Sequence, residues 1–232
     1  MSIRDILLAP RDHIKLDLAT LQFIKNHPVL FQKQHYLLYQ RASQYFSSDS
    51  IKPKQRDYII NWFFEINIIL DHNSSREAVA YLGVDIHSDG NKFEQLSYSL
   101  TICEGKKVLR KYHFDYSSNA VEVRQLQPVF HLQYSGKLSE HHNKLKIDNS
   151  HNNEWLSEPR INFTPMTLAI LLNLVFKEFP CESNRSIIET PEWISELRKS
   201  EIQLLQPFHN QCSKFNSFNR SKSLVSDFLY GL

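Results

Sequence analysis

The sequence predicts an α+β domain, in which an antiparallel meander of four or five strands is covered on one face by helices. Apolar residues recur at helical spacing in the first seventy residues and again after residue 164, whereas between residues 77 and 135 they alternate with polar residues. Turn-forming sequences separate the alternating segments. With 232 residues, 41% of them hydrophobic, the chain is long enough to bury a substantial core.

Residues 1–72 are predicted to be helical. Two segments, 15–26 and 29–46, carry apolar residues at helical spacing. Pro53 stands where a proline in the first turn would begin a third helix, which would continue through "YIINWFFEINIIL" at 58–70. Because this third segment is apolar on most sides, we expect it to be a central, buried helix.

The sheet is predicted between residues 77 and 135, where four segments alternate. In "EQLSYSLTIC", Leu96 and Tyr98 share one face and Ser97 and Ser99 the other. The connections "SDGN" and "EGKK" supply turn residues, and two tight connections in a row indicate an antiparallel meander with one apolar and one partly polar face. The four segments are residues 77–87, 94–103, 108–116 and 130–134.

A long polar connection, residues 136–158, separates the sheet from the helices that are predicted over residues 164–205. The first of these helices begins with Thr164 as N-cap and a proline in the first turn, and the second repeats this signal at Thr190. The connection contains three histidines, which are His141, His142 and His151.

We expect residues 1–207 to form a single domain, and residues 208–232 to form a polar linker that ends in a short apolar tail. This tail either packs back on its own domain or binds a partner protein. Its apolar side chains are Leu224, Val225, Phe228 and Leu229.

Composition and charge argue against several classes of protein. The 27 basic and 25 acidic side chains leave a formal charge of +2, which gives no general attraction to nucleic acid or to an anionic membrane. The three cysteines are widely spaced and form no CxxC, which favours the reducing cytoplasm over a disulfide framework. The start of the chain lacks a signal-peptide cleavage site, and the longest apolar run is well short of the roughly 20 residues that cross a bilayer.

Motifs that bind common cofactors do not occur in the sequence. Its five glycines form neither a phosphate-binding nor a dinucleotide-binding loop, and there is no GxSxG or HExxH. We therefore expect no bound cofactor.

The partly polar face of the predicted sheet is the first candidate site. Imidazole and carboxylate groups that converge there would suit a divalent metal ion and the hydrolysis of a phosphodiester. The alternative is a solvated sheet face on which histidines are scattered. The residues for such a metal site are Asp85, His87, His113 and Asp115, with His131 and Gln133 beside them.

His131 is the second candidate, because it stands where the alternation predicts a solvent-facing residue. Paired with Arg160 and with the start of the helix at Thr164, it would form an anion site whose histidine acts as acid or base, as the cleavage of RNA requires. The alternative is that His131 and Arg160 anchor the long connection to the sheet.

Basic residues near the turns are the third candidate. With Tyr112 and Tyr134 close by, they would follow the phosphate backbone of a nucleic acid. The alternative is that they only keep the sheet edges soluble. These residues are Lys106, Lys107, Arg110 and Lys111 on one hairpin, and Lys137, Lys144 and Lys146 in the long connection.

The order of three motifs resembles that of a group of bacterial defence proteins. "PVFHLQYSG", a polar insert, "EPRINFTPM" and an apolar helix that ends in "LVFKEF" follow one another. With helices before and after a meander, the chain looks like the small accessory subunit of Lamassu-type anti-phage and anti-plasmid complexes. This resemblance implies a non-catalytic subunit that docks on an SMC-like ATPase and restrains or positions a nuclease effector. It implies no catalytic residues for this chain.

The sequence therefore favours a cytoplasmic accessory or scaffold subunit that binds protein partners, reaches DNA only through its complex and contacts no membrane. Its many aromatic residues are typical of interface cores. The second hypothesis is a nuclease that depends on His131 with Arg160, or on a metal held by the sheet. The third is a nucleic-acid-binding module.

Overall fold

In the computed structural model, the chain forms an α+β fold built on a six-stranded antiparallel sheet. The structure describes residues 9–32, 34–47, 57–71, 76–116, 128–134, 144–147 and 160–218. Helices from the N-terminal and the C-terminal parts of the chain pack on one face of the sheet and bury the main apolar core with it. The predicted fold class is therefore confirmed.

The strands follow one another across the sheet in chain order, so that each strand pairs with the next. Leu82, Leu100 and Tyr112 lie side by side on the helix-covered face, as the alternation predicts. Gly105 has a φ of +56° in the turn after the third strand, a conformation that glycine adopts at no steric cost. The strands are β1 (Tyr58–Asp71), β2 (Arg76–Ser88), β3 (Phe93–Glu104), β4 (Lys107–Tyr116), β5 (Phe130–Tyr134) and β6 (Arg160–Asn162).

The segment predicted as a third helix forms strand β1 instead, so the prediction of an entirely helical region over residues 1–72 is wrong. Alternate residues from Tyr58 to Ile68 are buried on the helix-covered face, whereas Asn61 and Glu65 lie on the other face. Isoleucine, tryptophan and phenylalanine favour strands. Because both faces of β1 also carry large apolar residues, the apolar positions of the segment fit helical spacing as well.

Among the described residues, three α-helices precede the sheet and four follow it. The predicted helix 29–46 is divided in two by a turn at residues 34–35. None of the helices in the described ranges is long and apolar enough to span a bilayer. The helices are α1 (Pro10–Asn26), α2 (Pro28–Phe31), α3 (Tyr36–Ser47), α4 (Leu168–Glu178), α5 (Glu182–Ile188), α6 (Pro191–Ser200) and α7 (Gln206–Phe218), and the π-helical turn Glu201–Leu205 joins the last two.

Helix α4 begins later than its proline signal predicts. Thr167 is the N-cap, and its hydroxyl accepts a hydrogen bond from the backbone N–H of Ile170 at 3.3 Å. Thr164, the predicted cap, lies in the extended segment before the helix. The sequence offers two threonines three residues apart, and the structure uses the second, where the carboxyl group of Asp17 also accepts the first N–H of the helix at 2.8 Å.

Helix α7 occupies the first part of the predicted linker, so the linker prediction is wrong up to Phe218. Phe208 is buried, and its ring lies 5.8 Å from that of Phe130 in β5. This contact docks the helix on the sheet, and Pro207 stands directly after the π-helical turn. The predicted apolar tail, with Leu224 as its first residue, lies outside the described residues.

Helix α3 protects the free edge of the sheet at β1. The hydroxyl of Tyr45 accepts a hydrogen bond from the backbone N–H of Phe63 at 2.8 Å and donates to the carbonyl of the same residue at 3.2 Å. These backbone groups therefore point outward from β1 and not toward β2. A tyrosine bonded in this way blocks another strand from pairing at this point of the edge.

The helices meet one another around Trp193 of α6, which is fully buried. Its ring lies 5.8 Å from Phe23 of α1, 6.4 Å from Phe31 of α2 and 5.7 Å from Phe176 of α4. Its indole N–H donates to the side-chain oxygen of Asn173 at 3.2 Å. One side chain therefore connects four helices, and the helical layer depends on it.

Candidate functional site

The polar residues that stand out in the sequence lie on the face of the sheet opposite the core helices, which we call the polar face. One row across it consists of Asp85, Ser97, Asp115, His131 and Asn162, and the next of Gly83, Ser99, His113, Gln133 and Arg160. Strand register therefore brings Asp115, His131 and Arg160 into one neighbourhood, although they are far apart in sequence.

The polar face is not simply open to solvent. His131 is only 4% exposed and Lys111 only 1%. Ile147, which belongs to the predicted long connection, packs against Cys103 and Val108 on the same face. Part of the connection therefore covers the sheet, which corrects the picture of a freely solvated face.

Asp115 and His131 form the centre of the candidate site. The Nε2 atom of His131 lies 3.8 Å from the Oδ2 atom of Asp115, too far for a direct hydrogen bond. Nδ1 of His131 donates to the carbonyl of Pro128 at 2.9 Å, and the hydroxyl of Ser97 donates to Asp115. The imidazole is therefore held by the backbone at the start of β5.

Burial controls the charges of this pair. It raises the pKa of Asp115 above its ordinary value, against the opposing influence of the Ser97 hydroxyl and of the nearby His131. It lowers the pKa of His131, while the Pro128 carbonyl and Asp115 oppose the shift and the Arg160 charge adds to it. Both shifts favour the neutral forms, so the pair is not a strong ion pair.

Behind the pair, on the helix-covered face of the sheet, the free space is very small. A cavity of about 10 Å³ there is lined mainly by core side chains such as Tyr98, Phe114 and Met166, and it borders Asp115 and His131, whose side chains the strand register places on the polar face. Such a volume holds at most about one water molecule. The cavity has no room for a nucleotide or another substrate.

The predicted metal ligands do not come together. Asp85 and His87 lie on β2, whereas His113 and Asp115 lie on β4, with β3 between them. Two strand spacings separate the pairs, or about 9.5 Å. Among the residues that the structure describes, no group of three or more His, Cys, Asp or Glu side chains is placed to hold a metal ion.

The predicted anion site at Thr164 does not form either, because the helix begins four residues later. The first backbone N–H of α4, that of Leu168, donates to Oδ1 of Asp17 at 2.8 Å. A carboxyl group of the chain itself therefore occupies the position that an external anion would take at this helix start. Arg160 lies on β6, paired with Gln133.

The basic residues of the third candidate separate into two groups. Lys106, Lys107 and Arg110 are exposed near the β3–β4 turn. Lys111 is buried opposite Thr101 on the polar face, and burial lowers its pKa to about 8. Lys111 therefore cannot meet a phosphate backbone at the surface, whereas its three neighbours can. Lys144 and Lys146 are exposed as well, and Lys137 lies outside the described residues.

Sequence reasoning missed two fully buried polar groups of α1, which are those of His13 and Asp17. A signal for them was present. Ile14, Leu21 and Ile24 form the apolar stripe of α1, and Asp17 stands in the middle of that stripe at helical spacing. A carboxyl group at a core position must have buried partners.

The polar face thus holds a carboxyl and an imidazole group of the kind that general acid–base catalysis uses, and a guanidinium group that suits an anion. The carboxyl group is bonded by the hydroxyl of Ser97 and the imidazole by the carbonyl of Pro128. No family model, curated protein or solved structure matches the chain.

Proposed function

We propose that the chain is a non-catalytic accessory or scaffold subunit of a bacterial anti-phage and anti-plasmid defence complex. One observation carries this proposal: the side chains best suited to chemistry, Asp115 and His131, are held by Ser97 and by the Pro128 carbonyl, and burial favours the neutral form of each. The resemblance to Lamassu-type accessory subunits supplies the class of partner, an SMC-like ATPase or a nuclease effector. The chain itself reaches DNA only through that complex.

A surface suited to a protein partner lies at the β6 end of the sheet. Ile161 is 55% exposed and Tyr134 is 41% exposed. They are diagonal neighbours on the helix-covered side of β5 and β6, because Leu132 pairs with Ile161. We call these two residues the β6 patch. A tyrosine beside an exposed isoleucine has the composition of an interface core.

We expect the double substitution Ile161→Asp and Tyr134→Ser to weaken binding to the ATPase or nuclease partner by at least about tenfold, since it places a charge in an apolar contact. The measurement is the dissociation constant of the purified chain for each product of its neighbouring genes. Ile202→Asp is the matched control, because Ile202 is 61% exposed on the π-helical turn, away from β6.

Equal binding by the double variant and the control would remove the β6 patch from the proposal. No binding by the unsubstituted chain to any neighbouring gene product would remove the proposal itself. The three proteins should first be shown to have the same circular dichroism spectrum, so that a loss of fold is not mistaken for a loss of contact.

A histidine-dependent nuclease is the second candidate function, because the fold does bring Asp115, His131 and Arg160 together. Labelled DNA and RNA incubated with the chain, with and without Mn²⁺, separate the two functions. We expect no cleavage by the unsubstituted chain or by His131→Ala. Cleavage that His131→Ala abolishes and His87→Ala retains would favour the nuclease, since His87 lies on the same face but in another row.

A further inference from the structure

Three buried side chains form a hydrogen-bonded chain through the core, from α1 to β3 and back. Nε2 of His13 lies 2.8 Å from the hydroxyl of Tyr98, and that hydroxyl lies 2.5 Å from Oδ2 of Asp17. Oδ1 of Asp17 accepts the first N–H of α4, from Leu168, at 2.8 Å. His13 and Asp17 have no exposed surface, and Tyr98 has 1%.

This chain has two self-consistent arrangements. When Asp17 is ionised, it accepts from the hydroxyl of Tyr98, and the oxygen of Tyr98 accepts from Nε2–H of His13. When Asp17 carries a proton on Oδ2, it donates to Tyr98, and Tyr98 donates to an unprotonated Nε2. The imidazole must then carry its proton on Nδ1.

We propose that the chain of His13, Tyr98 and Asp17 is a proton relay that senses pH inside the fold. One proton enters at Nδ1 of His13, the Nε2 proton passes to the oxygen of Tyr98, and the hydroxyl proton of Tyr98 passes to Oδ2 of Asp17. The sum is one proton gained by Asp17 and a change of tautomer at His13. No other bond is made or broken.

The nitrogen that gains the proton is the one that the chain of hydrogen bonds leaves unused. Nδ1 of His13 is buried and makes no hydrogen bond among the described residues. The edge of the imidazole meets the ring of Phe93, with the ring centroids 5.5 Å apart. Because a neutral imidazole leaves one nitrogen without a proton, Nδ1 needs no partner while Asp17 is ionised. It becomes the donor after the relay has operated.

The surroundings place the change near neutral pH. Burial raises the pKa of Asp17 to about 7, although the bonds from Tyr98 and from the N–H of Leu168 oppose this shift. Burial lowers the pKa of His13 to about 4, so its imidazole stays neutral in both arrangements. The positive end of the α4 dipole also favours the ionised carboxylate.

Among the described residues, the titratable groups of this chain from α1 and β3 are His13, Asp17 and Tyr98 themselves, and α4 contributes its backbone N–H. The other buried carboxyl in that part of the protein is Glu196 of α6, which accepts a hydrogen bond from Thr20 one turn along α1. Glu196 also pairs with Lys199, so its charge is balanced within α6.

The experiment is a pH titration of the full chain by nuclear magnetic resonance, in which nitrogen shifts report the His13 tautomer and the carboxyl carbon shift reports Asp17. Over about pH 5.5 to 8.5, we expect His13 to change from the Nδ1–H to the Nε2–H tautomer as pH rises, with the same midpoint as Asp17. Asp17→Asn, whose amide donates like a protonated carboxyl, should hold the Nδ1–H tautomer at every pH. Tyr98→Phe should uncouple the tautomer from pH.

Asp12→Asn is the matched control, because Asp12 lies on the same helix, is exposed and pairs with Lys15. In the Asp12→Asn variant, the His13 tautomer and the Asp17 carboxyl should change at the same pH as in the unsubstituted chain. A His13 tautomer that stays constant over this range in the unsubstituted chain would overturn the proposal, and so would an Asp17 carboxyl that titrates at the ordinary value near pH 4. Both results come from the unsubstituted protein, so they decide the matter even if a variant fails to fold.

Discussion

Replacing Asp17 with alanine is expected to lower the free energy of unfolding by about 2–4 kcal/mol. The substitution leaves the N–H of Leu168 at the buried start of α4 without its acceptor, and an orphaned buried donor costs about 1–3 kcal/mol. Tyr98 also loses a partner, and a small cavity opens between α1 and α4. Chemical denaturation of the variant and of the unsubstituted chain at the same pH measures the loss.

The exposed Asp12 of the same helix supplies the comparison. Asp12→Ala removes a surface ion pair with Lys15 and should leave the free energy of unfolding nearly unchanged. If both variants lost the same small amount, Asp17 would not be a structural link between α1 and α4.

The pH dependence of stability gives Asp17 a second signature. Its pKa in the folded protein is raised, so its contribution to stability is fully present below the unfolded value near 4 and is lost as pH rises to about 7. His13 acts in the opposite direction, because its pKa is lowered and its contribution is lost as pH falls from about 6.5 to about 4. Asp17→Asn removes only the pH dependence of stability that comes from Asp17, so the contribution of His13 can be measured separately.

Replacing Trp193 with alanine is expected to lower the free energy of unfolding by about 3–5 kcal/mol, the usual cost of deleting a buried aromatic side chain. The ring fills the space between α1, α2 and α4, and its N–H bonds Asn173. The deletion therefore leaves a cavity and an unpaired amide oxygen. Thermal and chemical unfolding of the variant measure the loss.

The next residue of α6 is the matched control for this substitution. Ile194 is 45% exposed, so Ile194→Ala should change the free energy of unfolding by less than about 1 kcal/mol. A loss below about 1 kcal/mol for Trp193→Ala would mean that the helices do not depend on this contact.

The middle of the sheet could be predicted from the sequence because each strand has one apolar and one polar side. In β3, Leu96 and Tyr98 face the helices while Ser97 lies on the polar face, and the turn at Gly105 fixes the next pairing. Strand β1 could not be recognised in this way. Its large apolar residues stand on both faces, so a spacing of two and a helical spacing fit the segment equally well.

The candidate site could be predicted only in part. The alternation placed Asp115 and His131 on one face, and the order of strands then made them neighbours, which no local pattern specifies. That Lys111 is buried depends on what covers the polar face, and a sequence window does not contain that information. The link between Asp17 and α4 joins residues that are 151 positions apart.

We propose that this chain assembles with other proteins and performs no chemistry of its own. The most direct measurement is the molar mass, by light scattering after size-exclusion chromatography, of the chain mixed with the products of its neighbouring genes. We expect a complex of fixed stoichiometry that contains an SMC-like ATPase or a nuclease. A chain that elutes alone at its own mass of 27.4 kDa in every mixture would contradict this proposal.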